Sequence, residues 1–292
     1  MNNTLYDVAI IGSGPGGLAA ALYLLRSGRS VIMFESGMLG GQLAKCPYIE
    51  NYPGFVGKGI DLVNNIFDNL TTYSNFTFET SEIQALDELG DYWHLHSEYD
   101  EIFYAKFIIV ATGAHPIHLP VPGLDARNVH YCATCDGPLY TNKTVAVIGD
   151  GNSAMQYALE LSTYCTLVYL IILFDHFFGE ADLISRVYQK QSITVIPYFK
   201  TEEFRDGRTL ISANGNEINV DGVFVAVGQV PSTSLLSGFG VCNDKGYVKT
   251  DTKMRALHNL YVVGDCREKD VRQVLTAMSD GCIAAVNINK QL

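Results

Sequence analysis

Basic residues are scarce in this chain: 20 Lys and Arg stand against 31 Asp and Glu, a formal charge of −11 over 292 residues. A general nucleic-acid binder carries a basic surface, so that class is excluded, and attachment to anionic lipid is disfavoured. Long apolar runs are also missing. The longest, residues 167–174, is far short of the ~20 residues that cross a bilayer. The opening residues run into a strand without a basic flank or apolar leader segment, so a cytoplasmic protein without a membrane partner is expected. Seven cysteines, an odd number spread along the chain, do not make a secreted disulfide framework. Only Cys132 and Cys135 stand close together; Cys46, Cys165, Cys242, Cys266 and Cys282 read as small core hydrophobes. The seven histidines show no metal-ligand spacing, and no metal is expected.

What is present is an alternation of β-branched apolar runs and helical stretches, the mark of a parallel sheet covered by helices. Strands are expected at 7–11, 30–35, 93–96 and 103–110, with a helix at 18–27. A second unit of the same kind follows: strand 144–148, helix 153–163, strand 167–173. Each unit opens with a glycine-rich turn, which predicts an α/β fold of two Rossmann-like, dinucleotide-binding domains. Proline- and glycine-rich stretches at 114–123 and 231–240 look like the links. The expected division is therefore 1–115 with 239–292 for one domain, and 116–238 for a second inserted into it. The closing strand (260–263) and a helix from about Arg272 return to the first domain.

The first turn reads Gly12-Ser13-Gly14-Pro15-Gly16-Gly17. Gly12 allows the tight strand-to-helix turn, Gly14 lets backbone approach a pyrophosphate, and Gly17 lets helix and strand pack closely. Unpaired N–H groups and the dipole at the helix start favour the anion. Glu35, at the end of the next strand, stands where an acid accepts hydrogen bonds from ribose hydroxyls.

Cys132-Ala-Thr-Cys135 has the spacing of a redox disulfide or of half a zinc site. Structural zinc needs four ligands; no second pair exists and His130 stands alone nearby, so the redox reading is better. A reacting thiolate needs a proton partner, and Asp136, next in sequence, is the natural candidate.

Three further segments, Gly40-Gly41-Gln42-Leu43, Ala111-Thr112-Gly113 and Val263-Gly264-Asp265 ahead of Arg272-Gln273-Val274, join the two motifs in a familiar order. Together they resemble the low-molecular-weight flavin-dependent thioredoxin reductases, from residue 5 to about 288. The resemblance implies FAD as cofactor, thioredoxin as partner, and a homodimer. It implies that Asp265 meets the ribityl chain and that the isoalloxazine lies near Gln42, Asn51 and the helix start Arg272–Ala277. Ile83 joins the cofactor-binding set on the same ground, as do Gly41, Leu43, Thr112, Gly113, Gln273 and Val274. The resemblance further implies that Cys135 faces the flavin, that Cys132 attacks the partner disulfide, and that Asp136 gives a proton to the leaving thiolate.

The second turn, Gly149-Asp150-Gly151-Asn152-Ser153-Ala154, departs from the pattern. Members that use NADPH grip its 2′-phosphate with a His-Arg-Arg run and one further Arg; the corresponding places here are Ile172, Leu173, Phe174 and Phe178. Without cations a phosphate dianion forfeits charge-assisted hydrogen bonds of about 1.5–3 kcal/mol each, and Asp150 adds a negative charge to the turn. The chain is most similar to the ferredoxin-linked branch, which is fed one electron at a time. Against that stands the acidic surface: ferredoxins are themselves acidic. The one basic concentration, Lys253, Arg255, Arg267, Lys269 and Arg272, is interrupted by acids. An NAD(P)H-dependent thioredoxin or peroxiredoxin reductase, or a redox-sensing flavoprotein without turnover, are the rival readings. Trp93, Tyr48/Tyr52/Phe55 and Phe174/Phe177/Phe178 are expected to pack in the core or its rim in preference to stacking on flavin or a partner.

Overall fold

The computed structural model describes residues 4–46 and 49–292, the side chain of residue 50 excepted. Tyr48 lies outside the described residues. The chain divides into two compact units: one holds residues up to His115 together with Val230–Leu292, the other is Pro116–Gln229. The second passage thus lies ahead of residue 239. The stretch expected to be a link instead holds the 3₁₀ helix Ser234–Phe239, whose Leu235, Leu236 and Phe239 pack into the core of the first unit.

In the first unit, Leu5–Ile11 is the central strand of an eight-stranded sheet. Val31–Phe34 and Ile102–Val110 flank it in parallel, Phe76–Glu79 extends one side and Leu260–Val262 the other. Side chains alternate between faces along each strand. Val8, Ile10, Val31, Met33, Phe107 and Ile109 point into one core, and Ala9, Ile11, Ile32, Phe34, Ile108 and Val110 into the other. The first core is roofed by the helices Pro15–Arg26 and Val274–Asn289, whose close crossing has a local cause. A Cβ on Gly281 would strike the carbonyl oxygen of Gly16. Trp93 is a fully buried part of the second core, and Phe55 and Tyr52 pack against the first.

Asp7 ties the sheet at its start. Its carboxylate accepts from Lys106 Nζ at 2.8 Å and from the Ser30 N–H and Oγ at 3.0 and 3.1 Å. Burial pushes this carboxyl up, but the Lys106 and Ser30 contacts outweigh it and hold it below its ordinary value. A depressed carboxyl contributes stability above its unfolded value and loses it as pH falls through the folded one. Asp7→Asn should therefore cost about 1 kcal/mol at pH 7, Lys106 being partly solvated. The gap from wild type should close as denaturant titrations are taken below pH 3.

The second unit is a five-stranded parallel sheet in the order Val129–His130, Gly222–Val225, Thr144–Ile148, Leu167–Ile171, Ile193–Ile196. Helices Asn152–Leu161 and Ala181–Gln189 pack on it, and a three-stranded antiparallel sheet (Thr201–Arg205, Thr209–Ser212, Glu217–Asn219) is appended. The cysteine pair follows the edge strand Val129–His130. It therefore sits at the carboxyl end of a parallel sheet, where α/β folds place their chemistry.

Candidate active site

The first glycine turn folds as the sequence requires. Gly12 has φ +105°, in the region that favours glycine, and a Cβ there would meet the Ala111 carbonyl oxygen. The glycines bring the backbone of the dispersed motifs close together. A Cβ on Gly41 would stand 3.8 Å from Gly14 Cα and one on Gly14 3.9 Å from Ala111 O, ordinary contact distances, whereas one on Gly16 would crowd Ala277 O at 3.1 Å and stand 3.5 Å from Gly264 N. Residues from five separate segments (Gly12–Gly17, Gly41, Ala111–Thr112, Gly264 and Ala277) thus meet as a cradle of bare backbone.

Around it, the buried Ser13 donates through its N–H (2.9 Å) and Oγ (2.6 Å) to Glu35 Oε2, and its Oγ accepts from the Gly40 N–H. Glu35 Oε1 accepts from the Gly37 N–H. The carboxylate expected at a ribose is therefore also a brace for the loop, with lone pairs left over. Thr112 Oγ1 donates to the Ser232 carbonyl, Asn51 Nδ2 donates to Gln273 Oε1 at 3.3 Å, and Gln42 Nε2 lies 2.9 Å from His115 Nδ1. Gln273 and Thr276 cap the start of helix Val274–Asn289 reciprocally. Leu43 and Ile83 are buried in the cores, so only their backbone can face a ligand. Gly113 takes φ +72° at the end of its strand, and Val274 packs partly into the first core.

Asp280 was not visible as a functional residue in the sequence. Its carboxylate, 4 % exposed, accepts from the Gly264 N–H at 3.1 Å, from Arg267 Nε and Nη2 at 2.9 and 3.1 Å, and from Lys269 Nζ at 3.1 Å. Lys269 also lies 3.3 Å from Asp265 Oδ1. Of the basic concentration at 253–272, Arg267 and Lys269 therefore face inward. Lys269 has a side chain only 7 % exposed and is spent, with Arg267, on holding the Gly264-Asp265 turn. Arg255 pairs with Asp251 at 3.6 Å, and the Arg272 guanidinium stacks over the Tyr247 ring at 4.3 Å.

One buried polar atom beside the cradle, Arg272 Nε, lacks a hydrogen-bond partner, and Asp265 Oδ1 has the Lys269 ammonium at 3.3 Å but no hydrogen bond. Buried polar groups are ordinarily satisfied. The unsatisfied Arg272 Nε, the close glycine backbone and a helix start at Pro15 without a side-chain cap fit an anionic, hydroxyl-rich dinucleotide.

Cys132 and Cys135 form a disulfide, with Cα atoms 5.3 Å apart. The Cys135 N–H points at Cys132 Sγ (3.2 Å), and the Asp136 N–H donates to the Cys132 carbonyl. Side chains from helix Asn152–Leu161 brace the segment: Thr134 Oγ1 donates to Glu160 Oε2 at 2.9 Å, and Tyr157 OH to the Tyr131 carbonyl at 2.8 Å. Asp136 is buried, with Oδ2 3.3 Å from His130 Nδ1. His130, seemingly alone in the sequence, is thus part of the site. Burial, then the charges of Glu160 and Asp136, pushes Tyr157 up to about 12; burial, then Asp136 and Asp221, does the same to Tyr140. Both phenols keep their protons at neutral pH. Of the other cysteines, Cys165 and Cys266 are buried as expected, whereas Cys46, Cys242 and Cys282 are half-buried at the rim.

At the second glycine turn, Gly149 has φ +146° and the Phe178 N–H donates to the Asp150 carbonyl. Asn152 holds the same loop, accepting from the Glu180 N–H and donating to its carboxylate. Ile172 is 1 % exposed, while Leu173, Phe174 and Phe178 form an exposed apolar group in which the Phe174 and Phe178 rings meet edge-on at 5.5 Å. Phe177 is buried. Residues 172–180 contribute no Lys or Arg, and His176 is paired with Asp175 at 2.8 Å. Among the described residues no His, Cys, Asp or Glu cluster has the arrangement of a metal site. No helix is long and apolar enough to cross a membrane.

Residues 6–281 match the family model of pyridine nucleotide-disulphide oxidoreductases. The chain is 31% identical to thioredoxin reductase of Bacillus subtilis over 97% of its own length and 94% of that protein's. It is 34% identical to the Listeria monocytogenes enzyme over 98% and 93%. The crystal structure of thioredoxin reductase from Streptococcus pyogenes superposes with a TM-score of 0.91 at 32% identity, covering 99% of this chain and 98% of that one. A cradle shaped for FAD in one unit, a vicinal disulfide in the other and this full-length likeness lead to one assignment: the chain belongs to the low-molecular-weight thioredoxin reductases, the FAD-binding disulfide oxidoreductases of that family.

Proposed function

We propose that this flavoprotein, a cytoplasmic homodimer, reduces the disulfide of thioredoxin through Cys132 and Cys135 and takes its electrons from reduced ferredoxin. The observation that carries the first half is the disulfide at the carboxyl end of the edge strand, with a buried carboxylate next to it. Bound FAD supplies electrons, two per disulfide reduced. Gly12–Gly17 and the Pro15 helix start would hold its pyrophosphate, Glu35 its ribose, and Asp265 with Arg272 and the Gln42, Asn51 and Gln273 amides would contact the rest. The chain's own part is thiol chemistry. Both cysteines are half-buried, so exposure does not separate their roles. One contact supports an assignment: the Cys135 N–H is aimed at Cys132 Sγ, where it would favour a thiolate. Cys132 is then the thiolate that attacks the partner disulfide, Cys135 the thiol that resolves the mixed disulfide, and Asp136 the proton carrier between them.

The donor half rests on the second glycine turn. Losing two or three charge-assisted hydrogen bonds to a 2′-phosphate costs several powers of ten in affinity, and nothing cationic in 172–180 replaces them. A protein donor needs no such grip. With Arg267 and Lys269 turned inward, residues 253–272 offer a ferredoxin chiefly the exposed Lys253 and Arg255, the latter paired with Asp251. In an anaerobic titration, reduced ferredoxin should bleach the flavin band near stoichiometry and support insulin reduction through thioredoxin, while NADPH at 100-fold excess leaves the band intact. Bleaching by stoichiometric NADPH at micromolar concentration would reverse the donor assignment and leave the thiol chemistry standing.

A further inference from the structure

Behind the cysteine pair runs a chain of three side chains. His130 ends the edge strand, with Nδ1 3.3 Å from Asp136 Oδ2 and Nε2 2.7 Å from Tyr140 OH. Its ring stacks on Phe224 at 5.1 Å between centroids, so packing as well as hydrogen bonding fixes its plane. Tyr140 is held in turn, its ring seated on the bare backbone of Gly222 and the Lys143 ammonium 5.2 Å over its face. A phenol that keeps its proton can donate it to Nε2. In that tautomer the proton of a neutral imidazole stands on Nδ1, the nitrogen that faces the carboxylate.

We propose that His130 is a positioning residue for Asp136, orienting the carboxylate beside the cysteine pair through its ring Nδ1. The inference rests on the proton-carrier reading of Asp136 given above. In the exchange, the Asp136 carboxylate takes the Cys132 thiol proton. The thiolate attacks the partner's disulfide: a Cys132–partner S–S bond forms, the partner's S–S bond breaks, and the leaving thiolate takes that proton from Asp136. The Cys135 thiol then passes its proton to Asp136 and its sulfur attacks Cys132. The second partner thiolate leaves and is protonated by Asp136. Two thiol protons and two electrons move to the partner, and Asp136 ends ionised as it began. Each cycle thus starts from a carboxylate, whose Oδ2 lies against the His130 ring.

The other titratable groups packed around this chain are Tyr157 and Glu160 from helix Asn152–Leu161, Asp221 ahead of Gly222, Lys143, and Cys165, whose Sγ donates to the Tyr140 carbonyl at 3.3 Å. Tyr140, Tyr157 and Cys165, pushed up to about 12, about 12 and about 11 by burial above all, do not change charge near neutrality.

The test uses the FAD-loaded enzyme, reduced with stoichiometric dithionite so that the natural donor is immaterial. The rate of thiol transfer to oxidised thioredoxin is followed by quenched alkylation from pH 5.5 to 9. His130→Phe keeps the stacked ring and removes the N–H. The limb on which the rate rises with pH should move upward by about one pH unit. His130→Gln, whose amide can still donate, should restore the wild-type limb, and Tyr140→Phe should move it upward by less. If the His130→Phe and Tyr140→Phe profiles both superimpose on wild type while Asp136→Asn slows transfer at every pH, the His130 inference is wrong and the Asp136 role stands. If Asp136→Asn transfers thiols at the wild-type rate, the proton-carrier reading falls and His130 with it. Should His130→Phe fail to fold, Tyr140→Phe alone decides between a shifted and an unshifted limb.

Discussion

Cys132→Ser and Cys135→Ser should each lower thioredoxin reduction by at least about a thousandfold, some 4 kcal/mol of barrier, while both proteins remain yellow and fold normally. The two losses should differ in kind. Serine is protonated at neutral pH and a poor nucleophile toward sulfur, so Cys132→Ser leaves no thiolate to attack the partner and no adduct forms. Cys135→Ser keeps the attacking thiol and the backbone N–H that points at it. It removes the thiol that resolves the adduct, so a stable mixed disulfide between Cys132 and thioredoxin should accumulate and survive non-reducing electrophoresis. In both variants the flavin should still be bleached by its donor, because the cradle lies among residues of the first unit and the cysteines belong to the second. Normal thioredoxin turnover by both variants would show that the pair is not the conduit. An adduct through Cys132→Ser in place of Cys135→Ser would exchange the two roles.

Much of this site was legible in the chain because its determinants are local. A glycine that must take φ +105° beside a carbonyl can be read from a strand–turn–helix pattern, and so can the pairing of Cys132 with Cys135. Parallel strands announce themselves as β-branched runs, since both faces are covered. What escaped notice depends on distant partners. Arg267 and Lys269 sit in a run of alternating charge that reads as solvated surface; only the fold brings Asp280, nearly two turns into the last helix, beneath them. Gly281 looks like an ordinary helix-weakening glycine until Gly16 is placed against it. His130 had no visible partner because Tyr140 lies ten residues on and Phe224 on the neighbouring strand. Glu35 was legible as an acid at the end of a strand, but not as the acceptor that holds Ser13. The antiparallel sheet of 201–219 carries no motif and short strands, so nothing in the sequence singled it out.

Asp280→Ala should be the most damaging substitution away from the cysteines. Its carboxylate is the common acceptor for two cations and a backbone N–H, all within 3.1 Å. A buried pair contributes little over an apolar replacement of the whole group, but removal of one partner strands the others. Here the stranded groups are Lys269, left with Asp265 and the Thr276 hydroxyl, and Arg267, whose other contacts are Thr250 Oγ1 and the Glu268 carbonyl. The expected cost is about 3–5 kcal/mol, a large part of an ordinary domain's total stability. It should appear as a melting temperature lower by about 10 °C. Exposed pairs provide the contrast: Glu217→Ala, which leaves the half-exposed Arg205 its Glu203 partner, should cost under about 1 kcal/mol. Asp280 also fixes the Gly264 N–H, and Gly264 with Asp265 forms one wall of the cradle, so Asp280→Ala should be purified with less than half the wild-type FAD content. Asp280→Asn keeps an acceptor for Gly264 but loses the charge, and should fall between the two in both measurements. The order wild type, Asn, Ala is the signature of a charge that both pairs cations and shapes the turn. Equal flavin content in all three proteins, with only the melting temperatures falling, would confine Asp280 to stability and separate it from the cofactor site.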